Sequence, residues 1–256
     1  VAGYVEEEAR VLVNIEINPG IYHLKIEAKE IAKKWQPGQF VNLLLPAGMD
    51  GIPFLRRPFS IFMASKTEIG IVYRVVGRGT DNLTQLVKGD SLNCLGPLGV
   101  PIKRKIEPSA TTLFVAGGMG IASIAASAIY SGGMLLYGAR TESELILLPE
   151  VTGGLAERML ISTEDGSFGT KGLVTDLLPA ILAVEDYTGI VACGPRGMLK
   201  RVKEIGERYN RSVYLVIEER MACGIGTCLA CAIKAPEGYL RVCKDGPIFL
   251  AQEIVL

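Results

Sequence analysis

Thr111-Thr112-Leu113-Phe114-Val115-Ala116-Gly117-Gly118-Met119-Gly120 is the stretch at which the chain changes rhythm. A continuous apolar strand runs into a glycine-rich turn and then an Ala/Ile-rich helix to residue 130. A strand with no polar face suits a parallel sheet covered on both sides, because neither side meets water. Further strands are predicted over 134–137, 158–162, 189–192 and 213–217, with helices over 174–182 and 197–209. Strands and helices in alternation predict a parallel-sheet, nucleotide-binding type of α/β domain, placed at residues 101–217.

Upstream, residues 1–100 read differently. Short β-branched runs at 9–17, 21–28, 40–45, 57–63, 69–76 and 91–95 are separated by Pro19-Gly20, Pro37-Gly38, Lys88-Gly89-Asp90 and Gly96-Pro97. Only 81–88 looks helical. Such close strand spacing predicts a small antiparallel β-barrel.

Downstream of Glu218 regular periodicity stops, and residues 218–256 hold four of the six cysteines. Cys223, Cys228 and Cys231 have the spacing Cys-x4-Cys-x2-Cys, and Cys243 follows. This is the plant-type spacing for a [2Fe–2S] cluster: three thiolates on one loop and a fourth from the next strand. A four-cysteine zinc site is the first alternative, although it usually pairs two Cys-x2-Cys knuckles and one is present here. Disulfides are the second, and they need an oxidising compartment. The N-terminal segment is acidic and has no apolar core, so a cytoplasmic location is expected. Cys94 and Cys193 stand alone and read as buried thiols.

The formal net charge is +0, which gives nucleic-acid binding no electrostatic support. No apolar run reaches membrane-spanning length.

In the barrel, Leu55-Arg56-Arg57-Pro58-Phe59-Ser60-Ile61 puts two arginines where a half-buried strand begins. That is costly unless an anion or solvent receives them, and Arg57 has the geometry for a phosphate. Phe59 suits an aromatic ring, and Ser60 a heteroatom of that ring. Val72-Tyr73-Arg74 and the turn to Gly79-Thr80 form a second basic, glycine-rich cluster suited to a pyrophosphate. Gly117, Gly118 and Gly120 precede a helix, and Cys193-Gly194-Pro195 ends a later strand on the same sheet edge, where ligands of open α/β sheets gather. For each of these, ordinary packing or a surface ion pair is the competing reading.

Taken in order, Arg-Pro-Phe-Ser, Tyr-Arg…Gly-x-Gly-Thr, Gly-Gly-Met-Gly-Ile-Ala and Cys-Gly-Pro resemble the ferredoxin-reductase-like flavoproteins. Adding Glu-Arg-Met-Ala-Cys-Gly-Ile-Gly-Thr-Cys-Leu-Ala-Cys narrows the resemblance to the electron-transfer subunits of NAD-dependent, two-subunit dihydroorotate dehydrogenases. It extends over essentially the whole chain. It implies FAD held at Arg57, Pro58, Phe59, Ser60, Val72, Tyr73, Arg74, Gly79 and Thr80. It implies NAD at Gly117, Gly118, Gly120, Cys193 and Gly194, and a [2Fe–2S] cluster on Cys223, Cys228, Cys231 and Cys243. Phe59 departs from the aliphatic residue or Tyr usual there. The implied partner is an FMN-containing catalytic subunit, in a heterotetramer of two of each, with electrons passing through the cluster and FAD to NAD in pyrimidine biosynthesis. No residue of this chain is expected to be catalytic in bond-making. A free-standing NAD(P)H:ferredoxin or acceptor reductase would use the same modules, and a zinc-bearing binding module is a third class. Arg140, near the end of the second α/β strand, leaves NAD against NADP open.

Overall fold

The computed structural model describes residues 3–46 and 54–256. Its first sheet contains β1 (Val5–Asn18), β2 (Ile21–Glu27), β3 (Phe40–Leu43), β4 (Arg57–Ser60), β5 (Met63–Ala64), β6 (Glu68–Arg74) and β7 (Ser91–Leu98). The order β4-β3-β7-β1-β2-β6-β5 is antiparallel throughout. β4 and β5 are opposite edges, yet Ile61 and Phe62 alone separate them in the chain. The sheet therefore curls until its edges approach. Register breaks in β1 at Val11/Val13 and Glu16/Asn18 supply bending, because a bulge coils its strand.

Two short helices lie on this barrel, α1 (Lys29–Lys34) and α2 (Arg78–Thr84). The helix expected over 81–88 starts instead at Arg78, because the Thr80 hydroxyl accepts the N–H groups of Val76 and Gly77 and closes the turn there. His23, the single histidine, is buried edge-on to Phe62, and burial holds its pKa below the usual value. It is a wall residue.

The second sheet takes β8 (Thr112–Gly117), β9 (Met134–Ala139), β10 (Met159–Thr163), β11 (Thr170–Lys171), β12 (Gly189–Cys193) and β13 (Ser212–Val216), all parallel. Helices α3 (Ile121–Ser131), α4 (Pro149–Leu155), α5 (Val174–Val184) and α6 (Arg196–Arg208) cover it. Along β8 the side chains alternate between two cores. Leu113 and Val115 join α5 and α6, while Phe114 and Ala116 join α3 and α4. Both faces are thus covered, which is why the strand shows no polar periodicity.

The last segment forms the hairpin β14 (Ala232–Ala235) and β15 (Gly238–Arg241), then α7 (Val242–Asp245) and β16 (Ile248–Leu250). The apolar run Ile248-Phe249-Leu250 forms β16, which pairs antiparallel with β13 and buries Ile248 and Phe249 completely. The full sheet order is β11-β10-β9-β8-β12-β13-β16. Cys231, Val242, Cys243 and Ile254 share a core with α5 and α6, and with Phe40 and Leu98 of the barrel. The cysteine segment is packed against both larger units. No helix among the described residues is long and apolar enough to cross a membrane.

Candidate functional site

Between the two sheets lies a cleft of about 940 Å³, walled by β4, β6, the turn into α2, the start of α3 and residues 216–221. All nine residues singled out in the barrel line it: Arg57, Pro58, Phe59, Ser60, Val72, Tyr73, Arg74, Gly79 and Thr80. β4 and β6 bring them together because the curl of the sheet sets its short edge strand across from β6. Phe59 and Tyr73 meet edge to face at 6.1 Å, and Tyr73 stacks on Tyr22 at 5.4 Å, so the aromatic wall is braced from behind.

The adjacent arginines have different roles. Arg56 turns into the barrel, donating to Glu6 at 2.7 Å and to the carbonyls of Asn42 and Asn93. Arg57 faces the cleft and donates to the Leu55 and Arg56 carbonyls. Arg74 also lines the cleft, and its Nε is buried without a hydrogen-bond partner among the described residues. A buried guanidinium N–H is costly to leave unpaired, so the position fits an anionic ligand such as a flavin nucleotide's phosphates.

β8 and β12 are neighbours in register, with Ala116 opposite Cys193. From β8 the sheet proceeds outward through β9 and β10 on one side and through β12 and β13 on the other, so this is its topological switch point. Gly117, Gly120, Cys193 and Gly194 pack together there. A Cβ on Gly120 would stand 2.1 Å from the Cys193 carbonyl oxygen, and one on Gly194 would stand 3.0 Å from the Gly117 nitrogen. Of this loop, Met119 reaches the main cleft and the glycines do not. Gly118, with φ of +51°, has open space where a side chain would sit. Gly194 lines a second cavity of about 410 Å³, together with Arg196, Glu218, Lys234 and the C-terminal residues. Bare backbone at the switch point, beside that cavity, fits a dinucleotide.

Where the sheets meet, the Ser60 and Ser123 hydroxyls are 2.8 Å apart. The Ser123 hydroxyl also acts on the Glu218 carboxyl and on the Cys193 thiol. Glu218 is exposed, but into the cleft, with protein packed around it. That burial raises its carboxyl pKa, and the Ser123 hydroxyl partly offsets the rise. Burial likewise raises the Cys193 pKa, followed in importance by the Glu218 charge, so the thiol stays protonated. Ser123 and Glu218 were not singled out in the sequence. The available signal was a serine pair, Ser123 and Ser127, buried in an otherwise apolar helix.

The four late cysteines form two close pairs. Cys223 lies beside Cys228, and Cys231 beside Cys243, whose N–H points to the Cys231 sulfur at 3.4 Å. No three Cys, His, Asp or Glu side chains are grouped for a single metal ion among the described residues. A two-iron rhomb takes two thiolates per iron, so paired donors suit it. Burial disfavours the Cys223 thiolate, but the Thr227 hydroxyl and the N–H groups of Cys228 and Ile225 outweigh it and bring the pKa down to about 5. Burial and the neighbouring Cys231 push Cys243 up to about 12. Gly224 and Gly226 have φ of +71° and +88°. Any Cβ there would meet Asn42 Nδ2 at 2.6 Å or the Lys244 stem at 2.6 Å. Arg241 secures the loop, bonding Asp245 and the Gly226 carbonyl at 3.1 Å. Asn42, a barrel residue opposite Pro58 of β4, donates to the Ala222 carbonyl at 3.2 Å. Barrel and cysteine loop are therefore in direct contact.

Residues 218–255 match the family model for the iron–sulfur cluster binding domain of dihydroorotate dehydrogenase B. The chain is 39% identical to the dihydroorotate dehydrogenase B (NAD(+)) electron transfer subunit of Caldanaerobacter subterraneus subsp. tengcongensis, over 97% of this chain and 98% of that one. It is 37% identical to the subunit of the same name from Clostridium acetobutylicum, over 96% of each. Among solved structures it superposes on a chain of the NADH-dependent reduced ferredoxin-NADP oxidoreductase with a TM-score of 0.83 and 27% identity, covering 97% of this chain and 90% of that one. A cytochrome P450 reductase of Amycolatopsis shares the fold, with a TM-score of 0.67 and 20% identity over 84% of this chain and 70% of that one. Near-complete coverage at this identity, with the cysteine segment matched, makes the chain a member of the dihydroorotate dehydrogenase B (NAD(+)) electron transfer subunit family.

Proposed function

We propose that this chain carries electrons between an FMN-containing catalytic subunit, which oxidises dihydroorotate for pyrimidine synthesis, and NAD. The observation that carries this reading is the path of residues 216–223. The chain leaves β13, lines the cleft from Val216 to Met221, and reaches Cys223 two residues on. A thiolate loop built for iron thus opens from the wall of a flavin-sized cleft.

When bound, the [2Fe–2S] cluster supplies single-electron relay, FAD supplies exchange between single electrons and a hydride, and NAD accepts the hydride. The chain's own groups bind and orient. Arg57 and Arg74 hold phosphate charge, and Gly79 and Thr80 shape the turn beside it. Pro58, Phe59, Ser60, Val72 and Tyr73 make the wall for the ring system. Gly117, Gly118, Gly120, Cys193 and Gly194 let a dinucleotide approach the backbone closely, and Cys223, Cys228, Cys231 and Cys243 ligate iron. Ser60, Ser123 and Glu218 set the polarity of the cleft where the sheets meet. We place the protein in the cytoplasm, in a heterotetramer of two subunits of each kind.

A differently partnered reductase is the second reading. It draws support from the likeness to a ferredoxin-NADP oxidoreductase chain. Co-expression with an FMN-bearing dihydroorotate dehydrogenase subunit separates the two. The first reading expects co-purification, two kinds of flavin, iron and acid-labile sulfide in equal amounts, and dihydroorotate-dependent NAD reduction. Zinc in place of iron, or NAD reduction by ferredoxin alone, would overturn it.

A further inference from the structure

The cation at the end of β9 is already engaged. In parallel sheets that bind dinucleotides, the adenosine ribose lies beyond the strand next to the first one. An arginine there receives a 2′-phosphate, whereas a carboxylate takes the free 2′-hydroxyl. Arg140 directly follows β9 and would be read as a 2′-phosphate receptor. Its Nη2 instead donates to Glu144 Oε1. Glu144 is the fixed member of the pair: its side chain is 18% exposed against 67% for Arg140. Arg74 Nη1, from the barrel, approaches the same oxygen at 3.6 Å. Glu144 is therefore held from two sides, and both cations keep its carboxyl ionised.

An exposed ion pair by itself holds weakly, so the surroundings matter. The loop after β10 is tied to the loop after β9: Glu164 N–H donates to the Ala139 carbonyl at 3.1 Å and Asp165 N–H to the Arg140 carbonyl at 3.2 Å. The Glu142 N–H donates to the Ser167 hydroxyl at 2.8 Å. These bonds hold the two loops together beside Arg140, and the Glu164 charge acts on it directly. A 2′-phosphate arriving here would have to displace Glu144 from its arginine and then sit beside the Glu164 carboxylate. A ribose diol meets the same carboxylates as hydrogen-bond acceptors.

We propose that Glu144, by holding Arg140 inside an acidic rim, makes this site select a dinucleotide whose adenosine ribose lacks a 2′-phosphate. This rests on the reading above that NAD docks along the carboxyl edge of the parallel sheet.

The test measures binding of 5′-AMP and 2′,5′-ADP, which differ by the 2′-phosphate, to the FAD-loaded protein by calorimetry. The wild type should bind 5′-AMP at least about tenfold more tightly, the worth of one unfavourable charged contact. Glu144→Gln should close that gap about tenfold, and adding Arg140→Leu should reopen it. Flavin absorbance reports whether Glu144→Gln still holds FAD. Should it lose FAD, Glu164→Gln carries the test: it should favour 2′,5′-ADP at low salt, with the gain fading at high salt. Equal binding of both probes by the wild type, or a ratio unmoved in both variants, overturns the proposal. If 5′-AMP itself does not bind, the NAD-site reading fails and takes this proposal with it.

Discussion

The Ser60 hydroxyl on β4 stands 2.8 Å from the Ser123 hydroxyl on α3, joining the barrel to the parallel sheet at the base of the cleft. Ser123 also acts on the Glu218 carboxyl across the cleft, so one hydroxyl faces a polar group on each side. Ser123→Ala leaves the Ser60 hydroxyl without that partner, at about 1–3 kcal/mol. NADH-driven reduction of a dye acceptor should fall about tenfold or more, with FAD content unchanged, and Ser123→Thr should restore most of it. A rate equal to wild type in the Ala variant would show that the bond has no part in electron transfer.

Glu218 gives a stability signature with a definite sign. Its carboxyl pKa in the folded chain is raised above the ordinary 4.5. Between the two values the folded chain keeps a proton that the unfolded chain releases. This contribution is complete below the unfolded pKa and is lost as pH rises through the folded one. FAD-free Glu218→Gln should therefore match wild type in acid and become more stable than wild type toward neutral pH. Urea melts at a series of pH values measure this, and parallel curves would refute it.

Much of the fold was legible because it is written locally. The barrel strands appear as β-branched runs between turns, and the α/β strands as unbroken apolar stretches. The four late cysteines lie close together in the chain. What was hidden depends on contacts distant in sequence or on weak local signals. α4 contains Gly153 and Gly154, poor helix formers, and is held by the buried Val151 and Leu155. The β14–β15 hairpin is mostly exposed and has no strong apolar alternation. The apolar run Pro247-Ile248-Phe249-Leu250 suits either cover for the cysteine segment or a partner interface, and no neighbouring residue indicates that it pairs with β13. Ser123 and Glu218 meet because α3 and the end of β13 converge, which no spacing along the chain announces.

Gly120 and Gly118 should fail for opposite reasons. Gly120 has helical φ of −59°, so alanine suits its backbone, yet the new Cβ would stand 2.1 Å from the Cys193 carbonyl oxygen. Forcing β8 and β12 apart at the switch point should cost on the order of 3 kcal/mol and abolish dinucleotide binding. Gly118 has open space but left-handed backbone, so Gly118→Ala should cost about 1 kcal/mol through strain alone. Denaturant melts of the two variants give the ratio, and equal losses would contradict the close approach at Gly120.

Asn42 is a barrel side chain placed to control the cysteine loop. It is fully buried, its Nδ2 donates to the Ala222 carbonyl at 3.2 Å, and Gly224 passes too close to it for any side chain. Its Oδ1 has no partner among the described residues, so the bond to Ala222 is what orients the amide. Asn42→Ala removes that bond and opens a void, for a loss of about 1–3 kcal/mol concentrated where the loop meets β3. Asn42→Leu fills the volume without the bond and leaves the part-buried Ala222 carbonyl without that donor. Both variants should release iron to a chelator about tenfold faster than wild type, with FAD retained. If Leu protects the iron as well as Asn does, packing rather than the hydrogen bond ties the cysteine loop to the barrel.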